Sequence, residues 1–287
     1  MGGQGKKIFR VAGVLGLLVL LGLAVWRSLR VEVESRARAV PKYAVVNIVP
    51  ILERPGLLVL SVPEYKLLYE QTGMSPAGVD AMIAEGRQEE LLELQEKLFA
   101  EVSVVCTPNT LITREERGSE EALIPCVEDG DILVTFNCHT DVWRNGHVAI
   151  VADAKKRLAV EARQLGTESG MFSLDHWETY PAFAVLRLKD TDREKRAAIG
   201  EYAGQELLDI PYRLEAGVMA RLGVTEETGT LAGTHCAHLA WYAYEHFGYN
   251  IDSNGGLIVT PKDIFDSKLL QVVQIYGMPM PDFEEIY

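Results

Sequence analysis

The chain has 287 residues, of which 48% are hydrophobic and 24% are charged, as is usual for a globular protein with one large core or a core and a smaller module. Its formal net charge is −13. This acidic excess argues against a nucleic-acid-binding protein, because no basic surplus is available to neutralise phosphates. Residues 1–42 carry eight Lys or Arg and two Asp or Glu, so the amino-terminal end differs in charge from the acidic remainder.

An apolar run covers residues 8–26 and is interrupted only by Arg10, which could snorkel to a membrane interface. The run is long enough for a spanning helix. A cleaved signal peptide would need small residues soon after it, where Trp26 and Arg27 stand instead. We therefore expect an N-terminal transmembrane anchor within residues 1–30, with a cleaved signal segment as the alternative. The remaining chain would then be membrane-anchored and extracytoplasmic.

Residues 31–120 are expected to form a charged linker and a helical region. Pro63 is placed to open a short helix. Ser75 is a natural N-cap with Pro76 at the first helical position. The stretch that follows, “SPAGVDAMIAEGRQEELLELQEKLFAEVSVVC”, has apolar residues near helical spacing and predicts helix.

From about residue 123 the sequence changes to short strands separated by turns. Strands are predicted over “EDGDILVTF”, “GHVAIVAD”, “KRLAVEAR” and “YPAFAVLRLK”. A helix follows at about 193–208, and another begins near Cys236 in “THCAHLAWYAYEHFG”. This order of elements predicts an α+β fold rather than a regular βαβ repeat, with one domain over residues 121–287.

Cys236 is the first candidate for chemistry. Thr234 is a natural N-cap, which would make Cys236 the second helical residue. The helix dipole and the unpaired amides at that position favour a thiolate and could stabilise an oxyanion. The alternative is a structural thiol on the buried apolar stripe of the helix. The residues around Cys236 leave both interpretations open.

A nucleophilic thiol needs an imidazole base that a third polar group orients. His147 begins a hydrophobic strand, and Glu161 lies on the next one. A three-residue loop between these strands would pair Val151 with Arg157 and place His147 opposite Glu161. The carboxylate would then fix the imidazole tautomer. The alternative is a core histidine with an unrelated surface carboxylate.

The other histidines are weaker candidates: His139, His176, His235, His238 and His246. His235 and His238 flank Cys236 and suggest zinc, but neighbours this close on a helix do not share a face, so we predict no metal or cofactor. Cys106 and Cys126 could form a disulfide in an oxidising compartment. Connectivity cannot be read from the sequence.

Several segments, taken in order, carry a family resemblance: “GDILVTF”, “WRNGHVAIV”, “AVEAR”, “YPAFAVLRLK”, “IPY”, “THCAHLAWYAY”, “GYNID” and “VTPKDIFDS”. Together they resemble the circularly permuted branch of the NlpC-type papain-like cysteine hydrolases (YycO- and YiiX-like), which includes lecithin-retinol-acyltransferase-like enzymes. As in that branch, the histidine strand precedes the cysteine helix. The resemblance covers about residues 128–275.

The resemblance implies that Cys236 is the nucleophile, His147 the general base and Glu161 the orienting residue. It places Tyr212, in “DIPY”, beside the active-site carbonyl. The implied fold is a permuted papain-like one, with a mixed or antiparallel sheet packed on the cysteine helix. The implied activity is a thiol-dependent peptidase or amidase acting on cell-wall peptides such as peptidoglycan. The alternatives are an acyltransferase or lipid amidase on the same fold, or an inactive binding module.

Overall fold

The structure is a computed structural model. It describes residues 13–23, 38–54, 59–108, 112–118, 121–140, 143–223 and 231–286. The chain divides into two compact units, residues 1–37 and 38–287. In the first unit the described part is a helix, α1, over residues 13–23.

The predicted transmembrane anchor is not supported. In the described parts of the chain, no helix has both the length and the apolar character needed to cross a bilayer. The predictions of a transmembrane helix and of a membrane-anchored, extracytoplasmic location are therefore wrong for the described residues. Residues 8–12 and 24–30 of the predicted segment lie outside them.

The second unit is a mixed α+β structure. Its helices are α2 (Val49–Leu52), α3 (Val62–Thr72), α4 (Pro76–Ala84), α5 (Glu90–Phe99), α6 (Arg193–Glu206), α7 (Val218–Arg221), α8 (Cys236–His246), α9 (Pro261–Phe265) and α10 (Phe283–Ile286). A 3-10 helix spans Leu174–Thr179. Its strands are β1 (Val104–Pro108), β2 (Thr113–Arg117), β3 (Ile132–Thr135), β4 (Cys138–His139), β5 (His147–Asp153), β6 (Leu158–Glu161), β7 (Gly170–Ser173), β8 (Phe183–Leu188) and β9 (Leu270–Tyr276).

The stretch that follows Ser75 contains two helices, α4 and α5, where the sequence predicts one continuous helical signal. Ser75 caps α4 as expected, since its side chain accepts the N–H of Gly78. The helical path then stops at Gly86, which has a φ of +69°. This left-handed conformation ends the helix at little cost, because glycine has no Cβ. α5 follows from residue 90.

Both sheets of the second unit are antiparallel. Six strands form one sheet in the order β7-β6-β5-β3-β8-β9, and three form another in the order β1-β2-β4. Strand β5 is buried on both faces: Val148 packs in a cluster that includes Leu239 of α8, and Ala149 packs in a cluster that includes Trp177. A bridge between Met74 and Gln274 joins the helical region to β9. The domain division at residue 120 remains a prediction.

A buried ion pair connects neighbouring strands of the large sheet. Asp131, just before β3, accepts two hydrogen bonds from Arg187 of β8, at 2.8 and 2.7 Å. Glu128 contacts the same guanidinium at 3.1 Å and also pairs with Arg196 of α6 at 2.6 Å. Asp131 is fully buried. Since removing one partner of such a pair leaves an uncompensated buried charge, this cluster ties β3, β8 and α6 together.

We expect Asp131→Asn to lower the free energy of unfolding by about 3 kcal/mol, because Arg187 loses its paired charge inside the sheet. Urea denaturation followed by circular dichroism measures this. The same chemical change at Asp266, which pairs with Lys262 on the exposed side of α9, should leave the midpoint unchanged. Equal midpoints for Asp131→Asn and the wild type would show that the pair does not stabilise the fold.

Candidate active site

Helix α8 begins one residue later than the sequence indicates. The N-cap is His235, whose extended backbone (φ −130°, ψ 171°) ends the preceding segment and whose Nδ1 accepts the N–H of His238 at 3.4 Å. Thr234, the predicted N-cap, lies outside the helix. Cys236 is therefore the first helical residue. Its thiol is buried. The backbone N–H groups of Val148, in β5, and of Ala237 are directed at the sulfur and favour its ionised form.

His147, Tyr212 and Cys236 line one small cavity of about 10 Å³, which Cys138 also lines. That volume is about enough for a single water molecule. Tyr212 is held there by a parallel bridge to Thr234. The structure thus brings the predicted nucleophile, base and tyrosine together, although they are up to 89 residues apart along the chain.

The fourth predicted residue, Glu161, binds the imidazole of His147 directly: Nε2 of His147 lies 2.6 Å from Oε2 of Glu161. The pairing expected for this hairpin is nevertheless wrong, because Val151 pairs with Ala159 rather than Arg157. The observed strand register differs from the expected one by two residues. Since side chains alternate with a period of two, an even shift leaves His147 and Glu161 on the same face of the sheet.

The hydrogen bond to Glu161 selects the tautomer of His147. Burial alone would raise the pKa of Glu161, but the hydrogen bond from His147 and the nearby imidazole of His176 hold that pKa well below its usual range. The ionised carboxylate only accepts, so Nε2 carries a proton and Nδ1 is left as the basic nitrogen. Burial lowers the pKa of His147, and Glu161 offsets this only in part. The imidazole is therefore neutral at rest.

The Cys236 thiol is also neutral at rest, contrary to the expectation of a thiolate. Burial raises its pKa to about 12, and the N–H groups of Val148 and Ala237 offset only part of that increase. The position at the helix start is correctly anticipated, but the low polarity around the sulfur outweighs the amide groups. The pair at rest is thus a thiol beside a neutral base.

Three residues that the sequence did not single out as a group surround Glu161. Nε2 of His176 lies 3.1 Å from Oε1, Nε1 of Trp177 donates to Oε1 at 3.3 Å, and Nε of Arg163 lies 3.4 Å from Oε2. Trp177 also stacks on the ring of His147, with ring centres 5.5 Å apart. In the sequence, His176 and Trp177 are adjacent residues in a polar segment. No sequence pattern connects that segment to Glu161.

The structure also shows the surroundings of the histidines considered for zinc and of the cysteines considered for a disulfide. Nδ1 of His238 lies 3.1 Å from Oγ1 of Thr234, and Nδ1 of His235 is occupied by the helix cap. Over the segments that the structure covers, no three His, Cys, Asp or Glu side chains are grouped as metal ligands. Cys126 is not in a disulfide, so the possible bond to Cys106 is not formed.

Comparison with known proteins adds little beyond this geometry. No family model and no curated protein matches the chain. The chain is similar to the crystal structure of the metalloprotein YiiX from Escherichia coli O157:H7, with a TM-score of 0.41 and 15% sequence identity. The similarity covers 53% of this chain and 98% of YiiX. A TM-score this low does not establish a shared fold, so the permuted papain-like family remains a prediction.

Alkylation by iodoacetamide reports the protonation state of Cys236. With a pKa of about 12, its rate should be low at neutral pH and rise about tenfold per pH unit up to about pH 10, because only the thiolate reacts. A reference peptide with a free cysteine should level off near its pKa of about 8.5. Mass spectrometry of the peptide that contains Cys236 measures the rate. A plateau below neutral pH would reveal a preformed thiolate and contradict the neutral pair.

Acid unfolding tests the contact between His176 and Glu161. Because the folded-state pKa of Glu161 is lowered, the carboxylate stabilises the fold above its ordinary pKa of 4.5, and this contribution is lost as the pH falls through the folded-state value. We expect His176→Ala to raise that pKa and so to move the midpoint of acid unfolding to higher pH. His246→Ala is the matched control, since His246 stacks on Tyr202 elsewhere. Similar shifts in both variants would refute the specific contact.

Proposed function

We propose that the protein is a thiol-dependent amide hydrolase of the permuted NlpC-type, papain-like kind. Cys236 is the nucleophile, His147 the general base and Glu161 the residue that orients it. One observation carries the proposal: Glu161 holds Nε2 of His147 and leaves Nδ1 to accept a proton, beside a cavity that Cys236 also lines. Peptides and other acyl amides, cell-wall peptides among them, are the proposed substrates.

The first half of the reaction forms a thioester. Nδ1 of His147 takes the thiol proton as the sulfur of Cys236 attacks the carbonyl carbon of the amide. The oxyanion of the tetrahedral intermediate accepts the backbone N–H of Cys236 and the hydroxyl of Tyr212. Burial raises the pKa of Tyr212, which keeps that hydroxyl protonated. The C–N bond then breaks, and His147 returns the proton to the leaving amine.

The second half releases the acyl group. His147 takes a proton from water as the water oxygen attacks the thioester carbon. The C–S bond breaks, a carboxylic acid leaves, and the proton passes from His147 back to the sulfur of Cys236. Amide and water thus give acid and amine. Because thiol and imidazole are both neutral at rest, proton transfer accompanies sulfur attack instead of preceding it.

Trapping the acyl-enzyme tests the proposal. We expect incubation with a panel of cell-wall peptides and acyl amides, followed by acid quenching, to leave a mass adduct on Cys236. Cys236→Ala should abolish both the adduct and turnover, and His147→Gln should slow turnover at least about a thousandfold, because the nucleophile and its base act as a unit. Cys106→Ala is the matched control and should retain activity, since Cys106 lies in β1 and does not line the cavity.

The mass of the adduct also identifies the acyl donor. A peptidyl mass supports the peptidase, whereas a fatty acyl mass would assign a lipid amidase or acyltransferase with the same thioester chemistry. Unchanged turnover in Cys236→Ala would refute the mechanism. No adduct with any member of the panel, in a protein whose Cys236 can be alkylated, would favour a binding module.

A further inference from the structure

The cavity at Cys236 is lined by two arginines. Arg114 comes from β2 and Arg163 follows β6. Among the described residues that line the cavity, no aspartate or glutamate is present. This is unusual for a chain with a net charge of −13. Both arginines therefore lie close to the point where the thiol meets its base.

The two arginines are not equivalent. Arg163 is already engaged: its Nε lies 3.4 Å from Glu161, and its guanidinium packs over the ring of Phe172 at 4.2 Å. Over the described segments, no Asp or Glu side chain forms an ion pair with Arg114. Of the two cations, Arg114 is the one for which the described residues provide no carboxylate at salt-bridge distance.

The backbone around Arg114 is fixed by strand pairing. Arg114 pairs with Cys138 of β4, and its carbonyl accepts the hydroxyl of Thr107 at 3.2 Å. Alternation along the strand sends its neighbour Glu115 to the opposite face, where Arg144 binds that carboxylate at 2.7 Å. Arg114 shares the cavity side with Ile112, two residues earlier. It is thus held at the site by the sheet.

The charge of Arg114 acts on two groups that line the cavity, His147 and Cys138. It opposes protonation of His147, where it adds to the effect of burial in lowering the pKa. It also favours the ionised form of Cys138, although burial dominates and raises that pKa to about 11. An anion bound beside Arg114 would be attracted by this charge, and salt would screen the attraction.

We propose that Arg114 binds a carboxylate of the substrate close to the scissile carbonyl, so that the protein acts on amides whose acyl or amine part carries a free acid. This rests on the proposed function, because the anion is taken to belong to the substrate. A planar guanidinium matches a carboxylate with two parallel hydrogen bonds. Among the described residues that line the cavity, no carboxylate competes with the substrate for the guanidinium of Arg114.

Two alkylating reagents of nearly equal size test the proposal without any turnover. Iodoacetate carries a carboxylate and iodoacetamide is its neutral counterpart. The rate ratio of iodoacetate to iodoacetamide at Cys236, divided by the same ratio for a free-cysteine peptide, reports anion binding beside the sulfur. Dividing by the iodoacetamide rate cancels changes in thiol pKa. We expect the normalised ratio to be above one in the wild type and about fivefold lower in Arg114→Gln.

Arg193→Gln is the matched control, because it removes the same charge from the exposed start of α6. Its ratio should equal that of the wild type, and Arg114→Lys should retain part of the preference. An unchanged ratio in Arg114→Gln, or an equal fall in Arg193→Gln, would overturn the proposal. In the wild type, raising the salt concentration from about 0.05 to 0.5 M should lower the ratio through screening, and no salt dependence would also count against it.

Competition by small anions separates a carboxylate from a phosphate ligand. At equal ionic strength, acetate should slow alkylation by iodoacetate more than inorganic phosphate does. Stronger protection by phosphate would overturn the assignment to carboxylate substrates. If no amide is cleaved but the ratio behaves as expected, the hydrolase proposal fails while the anion site stands. If turnover is found without the ratio effect, only the anion site fails.

Discussion

The site depends on a negative charge buried inside the large sheet. Glu161 is fully buried, and a lone carboxylate in such surroundings would be too costly to keep ionised. It is tolerated because His147 and Trp177 hydrogen-bond to it from β5 and from the 3-10 helix, and the imidazole of His176 lies 3.1 Å away. The same contacts that make the charge acceptable also fix the imidazole of His147. Stability of the fold and geometry of the candidate site are therefore coupled at this carboxylate.

Burial has the opposite consequence for Cys236. The sulfur lies between the start of α8 and strand β5, where two backbone N–H groups reach it, yet the thiol remains protonated because so little solvent is near. A neutral thiol beside a neutral base is a weak nucleophile and reacts slowly. The small cavity volume has the same effect, since it leaves room for about one water molecule. Both features limit reaction of the thiol with other electrophiles.

The small sheet supplies the charge that the large sheet lacks. Strand β2 faces two ways: Glu115 on one face is neutralised by Arg144, and Arg114 on the other lines the cavity. An acidic protein that presents arginines at its candidate site attracts anions there and repels them elsewhere. The β1-β2-β4 sheet lies mostly before residue 128, where the family resemblance begins.

Local patterns in the sequence were sufficient for the features that depend on neighbours along the chain. The Ser75 cap, the strands that carry His147 and Glu161, and a helix that begins within one residue of Cys236 follow from residue type and spacing. The shared face of His147 and Glu161 was also predictable, because a register error of two residues leaves each side chain on the same face of the sheet. The register itself was not, since an irregularity between Val151 and Asp153 shifts the pairing and has no clear sequence signature.

Only the tertiary structure decided the properties that depend on what surrounds a residue. A helix start favours a thiolate, but burial from other elements reverses that preference at Cys236. The apolar run at the amino terminus predicted a membrane anchor, yet the described helix is too short to span a bilayer. His176, Trp177 and Arg114 reach the site from separate elements, so no local pattern links them to it. The sequence alone thus singled out the side chains that we propose carry the chemistry, and packing determined their protonation states and their neighbours.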